Sequence, residues 1–430
     1  MTGSRICAAR DRFGGKAMDN KKIRLGAIGL GGRGFGTLKV LAAMPDVEIA
    51  ALCDHYDDRI QRAVAAVKDI AGYEPKVFSD HRKLLELKDI EAVTVAADWR
   101  AHVGICLDAM EAGKYVGTEV GCANNVQQCF DIVKTSKRTG IPCMMLENCC
   151  YNRTEMTILN MVKKGLFGEL VSAGGGYMHD LRKEVTGGKE NRHYRLRNYL
   201  NRCGELYPTH ELGPIAKWLG INRGNRMLTL VSVASKSAGM EAYVKEKLPP
   251  DHHLAGVKFN EGDIVNTIIT CAHGETITLT HSTSLPRPYS RQNMLAGTKG
   301  IYSEDINQSV YFEGVSEGEK WEPLEKYYAE YEHPLWRKKI TNIANLGHGG
   351  MDYHILRAFI TSVQEQTDTP IDVYDTATWM AIGPLSEESI AMGGHPVAIP
   401  DFTEGAWLER EPVRRGPYCL DEVCEEFFTD

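Results

Sequence analysis

The sequence predicts an α/β protein in two parts: an N-terminal doubly wound parallel sheet, then an α+β part with an open, largely antiparallel sheet. Between residues 23 and 148, short apolar segments alternate with amphipathic helical segments, and parallel neighbouring strands need such crossover connections. Beyond residue 148 the apolar segments lengthen, and apolar residues alternate with polar ones. That alternation is typical of antiparallel strands with one covered face.

The elements follow from these patterns in chain order. In the first part, the segments that predict strands are 23–28, 47–53, 92–96, 115–118 and 143–146, and the segments with helical spacing are 34–44, 57–70, 104–112 and 126–138. In the second part, strands are predicted at 170–177, 227–233, 263–271 and 275–282, and residues 310–350 are predicted to be rich in loops. Helices are predicted at 156–164, near 213–219, at 351–366 and at 376–392, and the last two close the chain.

The change of pattern predicts a boundary after residue 148. Residues 21–148 form one predicted domain, and residues 149–430 form a second that binds substrate and carries the oligomer contact; the last helices can pack back on the first domain. One helical layer cannot cover both faces of the second sheet, so we expect a homo-oligomer, most simply a dimer. Residues 1–20 are predicted to be a disordered lead-in, in which Met18 is a candidate natural start.

Composition narrows the class of protein. The net charge of −7 argues against nucleic acid and anionic membranes as partners. The sequence contains no run of about 20 apolar residues that could span a membrane. The 12 cysteines include no CxxC pair, which favours reduced thiols and a cytoplasmic protein.

A glycine-rich turn, Gly29-Leu-Gly-Gly-Arg-Gly34, follows the first predicted strand and opens a predicted helix. Glycines at Gly29, Gly31 and Gly34 allow a tight turn and let the backbone approach a pyrophosphate at the helix N-terminus. Asp54 ends the next strand, where a carboxylate binds two ribose hydroxyls and repels a 2′-phosphate. The motif therefore predicts NAD rather than NADP; the alternative is a glycine turn that binds no nucleotide.

A second motif, Leu206-Tyr-Pro-Thr-His210, places a tyrosine and a histidine in one short predicted loop. Histidine suits a general base at neutral pH, and phenols can position and transfer protons. Tyr289, in Leu285-Pro-Arg-Pro-Tyr289, is a further candidate. The alternative interpretation is that these aromatic residues only pack.

The N-terminal half resembles the Gfo/Idh/MocA oxidoreductases. Their dehydrogenases end a strand in Glu-Lys-Pro, with a catalytic lysine, and tend to carry an aspartate four residues before the histidine. Here the first stretch is Glu119-Val120-Gly121, and Leu206 stands four residues before His210. Both departures argue against simple alcohol oxidation.

The same departures match glycoside hydrolase family 109, the NAD-dependent α-N-acetylgalactosaminidases, which the chain resembles over nearly all residues after 22. The motifs that carry this resemblance are Gly29–Gly34, Trp99-Arg-Ala-His102, Glu119-Val120, Glu147-Asn148, Tyr194-Arg195, Leu206–His210, Ser284–Arg291 and Gly347-His-Gly-Gly-Met-Asp352. The resemblance implies catalysis by His210, Tyr207 and Tyr289.

The resemblance also implies two sets of binding residues. The set expected at the NAD site is Gly29, Gly31, Gly32, Arg33, Gly34, Asp54, Trp99, His102, Glu119, Val120 and Asn148. The set expected at the sugar site is Tyr177, Arg195, Tyr207, Pro208, Thr209, His210 and Tyr289. No metal site is predicted, since His252-His253 has no carboxylate or cysteine at ligand spacing in the sequence, and His348 is interpreted as part of a turn.

The function implied is hydrolysis of a small glycoside or amino-sugar substrate by transient oxidation of sugar carbon 3, elimination, water addition and re-reduction. Two alternatives stay open: a sugar dehydrogenase that consumes NAD, and a non-catalytic NAD-binding sensor. Glu211 departs from the family's usual glycine and is expected to place a charge beside His210. The export signal common in the family is not found, which favours an imported sugar as substrate.

Overall fold

The computed structural model describes residues 22–121, 123–337 and 347–429. The predicted lead-in at residues 1–20 lies outside the described residues. The order of elements, parallel sheet first and mixed sheet second, is the predicted one.

The first sheet has six parallel strands in the order β3-β2-β1-β4-β5-β6. Its strands are β1 Ile23–Ile28, β2 Val47–Cys53, β3 Lys76–Phe78, β4 Ala92–Val95, β5 Tyr115–Thr118 and β6 Cys143–Met145. Its helices are α1 Gly32–Ala42, α2 Asp57–Ala71, α3 His81–Leu85, α4 Trp99–Glu111 and α5 Val126–Thr139. The predicted doubly wound parallel sheet is confirmed; the sequence pattern missed only β3 and α3, which are short.

Capping residues set the ends of the crossover helices. The side chain of Asn125 accepts a hydrogen bond from a backbone N–H in the first turn of α5, and Gly140 ends that helix in the left-handed conformation. Asp98 caps α4 in the same way. This cap starts α4 at Trp99, five residues before the predicted start, because polar and aromatic residues in the first turn hid the helical period.

Within the described ranges, the second sheet has nine strands in the order β14-β13-β12-β11-β7-β10-β9-β8-β15, and only the β7–β10 pair is parallel. The strands are β7 Leu170–Met178, β8 Met227–Ala234, β9 Val265–Cys271, β10 Thr276–Ser282, β11 Met294–Gly297, β12 Gly300–Ser303, β13 Ser309–Phe312, β14 Glu322–Pro323 and β15 Val397–Ala398. The predicted open, largely antiparallel sheet is confirmed. The strands from β11 to β15 were missed because none exceeds four residues.

The helices of the second part run from the domain boundary to the last quarter of the chain. They are α6 Arg153–Lys163, α7 Arg182–Thr186, α8 Arg195–Asn201, α9 Thr209–Trp218, α10 Gly239–Lys247, α11 Tyr328–Tyr331, α12 Pro334–Arg337, α13 Met351–Glu365 and α14 Val373–Ala391. The helix predicted near 213–219 begins earlier, directly after Pro208, whose fixed φ and missing N–H suit the start of a helix. His210 therefore lies in the first turn of α9 and not in a loop.

Helices α13 and α14 pack against the first sheet. Arg357 on α13 donates to Asp46 (2.7 Å), and the hydroxyl of Thr376 on α14 accepts a hydrogen bond from the backbone of Met145 in β6 (3.1 Å). The expectation that these helices close the chain was wrong, because the chain continues into β15, which pairs with β8.

Two further findings concern membranes and thiols. No helix among the described residues is both long enough and apolar enough to cross a bilayer. The ten cysteines in the described ranges are free, and only Cys203 is not fully buried.

We predict that Phe359→Ala destabilises the fold by about 3–5 kcal/mol, the usual range when a buried aromatic leaves a cavity. Phe359 is fully buried on α13, and its ring lies 3.2 Å from where a Cβ on Gly117 of β5 would stand. Urea denaturation measures the change. Phe427→Ala is the matched control, since Phe427 is exposed, and it should change the free energy of unfolding little.

Candidate active site

One large cavity lies where the carboxyl ends of β1, β2, β4 and β5 meet the second part of the chain. Ligands bind in open α/β sheets at this edge. The cavity has a volume of ≈1380 Å³, above the roughly 300–1,000 Å³ of a site for one small molecule. It has room for a dinucleotide together with a second ligand.

The glycine-rich turn forms the floor of this cavity. Gly29 has φ +88°, and a Cβ there would stand 2.4 Å from the carbonyl oxygen of Ala96. A Cβ on Gly34 would stand 2.0 Å from the Gly29 carbonyl oxygen, so these two glycines are required by the protein itself. Gly32, by contrast, has no neighbour within 4 Å of an added Cβ and lines the cavity. The space beside Gly32 therefore allows a ligand to approach the backbone of α1 closely.

Asp54 lies at the end of β2 and faces the same cavity. Its carboxylate accepts hydrogen bonds from the backbone N–H groups of Leu30 (2.7 Å) and Tyr56 (3.0 Å). The Arg59 guanidinium lies 4.0 Å from it. The carboxylate is therefore held in place at the position where an adenosine ribose binds in such folds.

Arg33 connects the turn to a network of buried acids. It pairs with Glu119 (Nε to Oε1, 3.0 Å) and with Asp352 of α13 (Nη1 to Oδ2, 2.8 Å). Asp352 also accepts a hydrogen bond from the Asn148 side chain (2.7 Å) and contacts the Nδ1 of His348 (2.7 Å). This network ties the carboxyl ends of β5 and β6 to the start of α13.

Two aromatic residues of α4 complete the first side of the cavity. Trp99 is buried, and its ring packs against that of Tyr194 (4.5 Å between centroids). His102 is buried, with Nε2 2.7 Å from the Thr118 hydroxyl. Burial lowers the pKa of His102 to about 4, so its imidazole is neutral at physiological pH. Val120, also buried, lines the cavity beside them.

His210 enters the cavity from the first turn of α9. Its Nδ1 lies 2.7 Å from a carboxylate oxygen of Glu147, a fully buried residue that follows β6. Burial disfavours ionisation of Glu147, but the charge and hydrogen bond of His210 outweigh it and hold the pKa of Glu147 below its ordinary value. An ionised carboxylate at Nδ1 fixes the ring tautomer and stabilises the imidazolium that forms when Nε2 accepts a proton.

Aromatic residues of β7 and of the 206–210 motif surround this histidine. The Tyr207 ring lies 4.5 Å from that of Tyr177 and 5.0 Å from that of His210. The Arg195 guanidinium lies 4.7 Å from the centre of the Tyr207 ring. Burial raises the pKa of Tyr207 well above its usual range, so the phenol stays protonated and can donate a hydrogen bond. All four side chains line the cavity that holds the glycine-rich turn.

Three predicted sugar-site residues lie elsewhere. Pro208 and Thr209 are buried at the start of α9, and neither is among the described residues that line the cavity. Tyr289 is 48% exposed and sits outside the lining, with its ring 5.1 Å from that of His179 and 6.4 Å from that of Tyr177. It stands at the rim on the side of Tyr177.

Glu211 does not behave as the sequence suggested. Its side chain is fully buried against Gly175 of β7, where an added Cβ would stand 2.6 Å from its own. Burial and then the carboxyl group of Glu205 raise the pKa of Glu211 well above its ordinary value. The neutral acid is therefore favoured, and the expected charge beside His210 was wrong.

Among the residues that the structure describes, two groups of potential metal ligands occur. Glu147, Cys149 and His210 lie within 4.8 Å of one another, and burial raises the pKa of the Cys149 thiol well above its usual range, so the thiol is protonated when no metal is bound. At the surface, Glu190 joins His252 and His253. The sequence could not show this group, because Glu190 lies some sixty positions earlier.

Glu147 and Asp352 belong to the site although the sequence did not predict them there; both stand in motifs that carry the family resemblance. The available signal for Glu147 was a charged residue directly after an apolar strand, where active sites collect in such sheets. Asp352 gave no local signal, because its partners Arg33 and Asn148 are some 320 and 200 residues away.

Two family models match the chain in succession. The model for the oxidoreductase family with an NAD-binding Rossmann fold matches residues 23–146, and the model for the C-terminal domain of glycosyl hydrolase 109 matches residues 151–409. The protein is therefore an NAD-binding enzyme built on the Gfo/Idh/MocA oxidoreductase fold.

Among its relatives, a glycosyl hydrolase family 109 protein of Stenotrophomonas maltophilia is 42% identical over 91% of this chain and 92% of its own length. An α-N-acetylgalactosaminidase of Tannerella forsythia is 39% identical over 91% of this chain and 88% of its own. The chain belongs to glycosyl hydrolase family 109, as its motifs indicated.

Solved structures show the same fold at low identity. Levoglucosan dehydrogenase in complex with NADH gives a TM-score of 0.68 at 19% identity, covering 89% of this chain and all of that one. A scyllo-inositol dehydrogenase from Lactobacillus casei gives a TM-score of 0.63 at 15% identity, covering 89% of this chain and 99% of that one.

The cofactor site yields a direct prediction: Gly32→Ala lowers NAD affinity at least about tenfold, which corresponds to about 1.4 kcal/mol. A methyl group at Gly32, the first residue of α1, meets no protein atom, so the free energy of unfolding without ligand should stay the same or rise by up to about 1 kcal/mol. Calorimetric titration with NAD measures the affinity.

The control for this variant is Gly104→Ala, at an exposed and equally open position on α4 outside the cavity lining. Unchanged NAD affinity in Gly32→Ala would contradict the placement of the dinucleotide on this turn.

Proposed function

We propose that this enzyme hydrolyses a small glycoside of an α-linked N-acetylated amino sugar, with N-acetylgalactosamine as the leading candidate, and retains NAD through the reaction. The observation that carries the proposal is the Glu147–His210 pair, which opens into the same cavity as the glycine-rich turn. The sugar identity rests on similarity to relatives such as the α-N-acetylgalactosaminidase of Tannerella forsythia.

When bound, NAD supplies the oxidation of sugar carbon 3 and the reversal of that oxidation at the end of the reaction. A ketone at carbon 3 makes the hydrogen on carbon 2 acidic. His210 takes that proton at Nε2, since Nδ1 faces Glu147. Loss of the group on carbon 1 from the resulting enolate breaks the glycosidic bond, and water adds to the unsaturated ketone.

The aromatic residues and Arg195 hold the sugar and its developing charge. Arg195 is buried beside Tyr207, and its guanidinium is always charged at neutral pH. A fixed positive charge in a buried site suits the negative charge of an enolate. In this proposal the protonated phenols of Tyr177 and Tyr207 donate hydrogen bonds to sugar oxygens, and Tyr289, at the rim beside Tyr177, contacts the departing group.

Val120 argues against a dehydrogenase that consumes NAD. An apolar side chain lines the cavity where the oxidoreductases of this fold carry a catalytic lysine. A panel of aryl α- and β-glycosides, assayed with and without added NAD, tests the proposal; cleavage without accumulation of NADH supports it. Release of one NADH per sugar oxidised, with no cleavage, would establish the dehydrogenase instead.

The proposed compartment is the cytoplasm. The ten free cysteines of the described ranges support it, because reduced thiols persist in reducing compartments. The substrate would then be a small glycoside brought into the cell.

We predict that His210→Ala lowers cleavage by about 10²–10⁴-fold, the range for loss of a general base. NAD stays bound in this variant, since His210 lies in α9, apart from the glycine-rich turn. In deuterated water, the wild-type enzyme should place deuterium at carbon 2 of the released sugar. Mass spectrometry of the product measures this incorporation.

Glu147→Gln is the companion variant, because it keeps the shape of the side chain but removes the charge that faces Nδ1. It should lower the rate and change the pH profile, while NAD binding is unaffected. Product without deuterium at carbon 2, or wild-type cleavage by His210→Ala, would rule out the proposed mechanism.

We also infer that the second sheet forms a homo-oligomer, most simply a dimer, through its open face. Across β7–β10, strand register places on this face Ser172, Gly174, Gly176, Thr229, Val231, Val233, Asn266, Ile268, Thr270, Thr276, Thr278 and Thr280. None of these described positions carries a charge, and Val233 and Ile268 are each about half exposed. A broad uncharged face of this kind is typical of a protein interface.

Ile268→Lys is expected to shift the protein towards monomer, because the ammonium group would lose its hydration at the centre of the interface. Light scattering at micromolar concentration measures the mass. Val315→Lys, at a more exposed position outside the sheet, is the control and should keep the wild-type mass. A monomeric wild-type protein would refute this inference.

A further inference from the structure

A segment of the second part, residues 187–194, crosses to α2 of the first part; we call it the strap. Arg192 of the strap binds both carboxylate oxygens of Asp58 on α2, at 2.9 and 2.6 Å. In return, Arg59 of α2 donates to the backbone carbonyl groups of Asn191 (3.1 Å) and Arg192 (3.3 Å). Strap and helix are therefore joined by four hydrogen bonds from two guanidinium groups.

Tyr56 lies at the centre of this contact. Its ring is 4.2 Å from the guanidinium of Arg192 and 4.8 Å from that of Arg59, so two cations stack on one aromatic side chain. The backbone of Tyr56 also donates to Asp54. The contact therefore lies next to Asp54, at the position where an adenosine ribose is expected to bind.

The backbone of Arg192 adopts a conformation that non-glycine residues seldom adopt. Arg192 has φ +53°, a left-handed conformation that favours glycine. The contacts of Arg192 with Asp58 and Tyr56 offset the cost of that conformation. Its partner Asp58 responds to it: the hydrogen bond from Arg192 lowers the pKa of Asp58 to about 2.

The strap also borders the cavity. Asn191, Arg192, His193 and Tyr194 line the space that Asp54 and Gly31 line from the other side. A dinucleotide on the glycine-rich turn would lie between α1 and the strap. A reaction that ends with its cofactor in the starting oxidation state needs no cofactor exchange, whereas a dehydrogenase must release NADH in every turnover. The expectation that this enzyme retains NAD between turnovers rests on the proposed function.

We propose that the contact between the strap and α2, made by Arg192, Asp58, Arg59 and Tyr56, sets the residence time of NAD on this enzyme. A single exposed ion pair has little effect, but here a bidentate pair, a stacked ring and two carbonyl bonds act on the same segment. The expected effect of removing Arg192 is a rise of about tenfold in the rate of NAD release.

The experiment uses the NAD-loaded enzyme and a fluorescent etheno-NAD in excess, so that every release event is followed by exchange. Arg192→Ala and Asp58→Ala should each release NAD about tenfold faster than wild type. The charge-swapped double variant, Arg192→Asp with Asp58→Arg, should recover most of the slow release. Lys137→Ala, which breaks the exposed ion pair with Glu404 outside the cavity, is the control and should release at the wild-type rate.

Arg192→Gly separates this role from a merely structural one. It relieves the left-handed backbone while removing the guanidinium, so its melting temperature without NAD should match or exceed that of wild type, yet NAD should still leave faster. Wild-type release rates in Arg192→Ala and Arg192→Gly, or no recovery in the double variant, would overturn the proposal.

The release rate is measured without any glycoside. If the wild-type enzyme cleaves no glycoside but the Arg192 variants release NAD faster than wild type, the proposed function is refuted and the role of the strap is supported. Cleavage of a glycoside by the wild-type enzyme, together with wild-type release rates in the Arg192 variants, would support the proposed function and refute the role of the strap.

Discussion

The hydrogen bond between Glu147 and His210 is the interaction on which the arrangement of the site depends. A fully buried carboxylate is tolerated only when it is paired, and here its partner comes from a different part of the chain, the first turn of α9. Glu147 follows the last strand of the parallel sheet. The requirement to pair it therefore places His210 of the second part in the same cavity as the glycine-rich turn of the first.

This geometry explains how a fold of oxidoreductases supports hydrolysis. The cavity keeps the glycine-rich turn and Asp54, and so keeps the binding of a dinucleotide. What differs is the set of side chains at the site: Val120 stands beside Glu119 where the dehydrogenases carry a lysine, and the histidine that we propose as the base is paired with a carboxylate. Function here is a property of the site and not of the fold.

The sequence predicted the fold well wherever an element was long enough to show a period. The parallel sheet, the helices around it and strands β7 to β10 all showed their periods, whereas strands of two to four residues such as β12 and β14 did not. The glycine-rich turn and Asp54 could be placed because their roles depend on local backbone. Glu147, Asp352 and the strap could not, since their roles arise from contacts between residues far apart in sequence. Glu211 was misjudged for a related reason, because its neutral form follows from burial that no local pattern shows.

The two backbone hydrogen bonds to Asp54 have a consequence for the energetics of the whole molecule. They orient the carboxylate before any ligand arrives, so little conformational entropy is lost on binding and more of the interaction energy appears as affinity. A ligand bound tightly to the native state and not to the unfolded chain stabilises the native state by mass action. The free energy needed to unfold the NAD-loaded protein by heat or denaturant therefore includes the cost of releasing the ligand as well as the cost of disrupting the fold. A melting temperature measured for it describes the complex rather than the polypeptide alone.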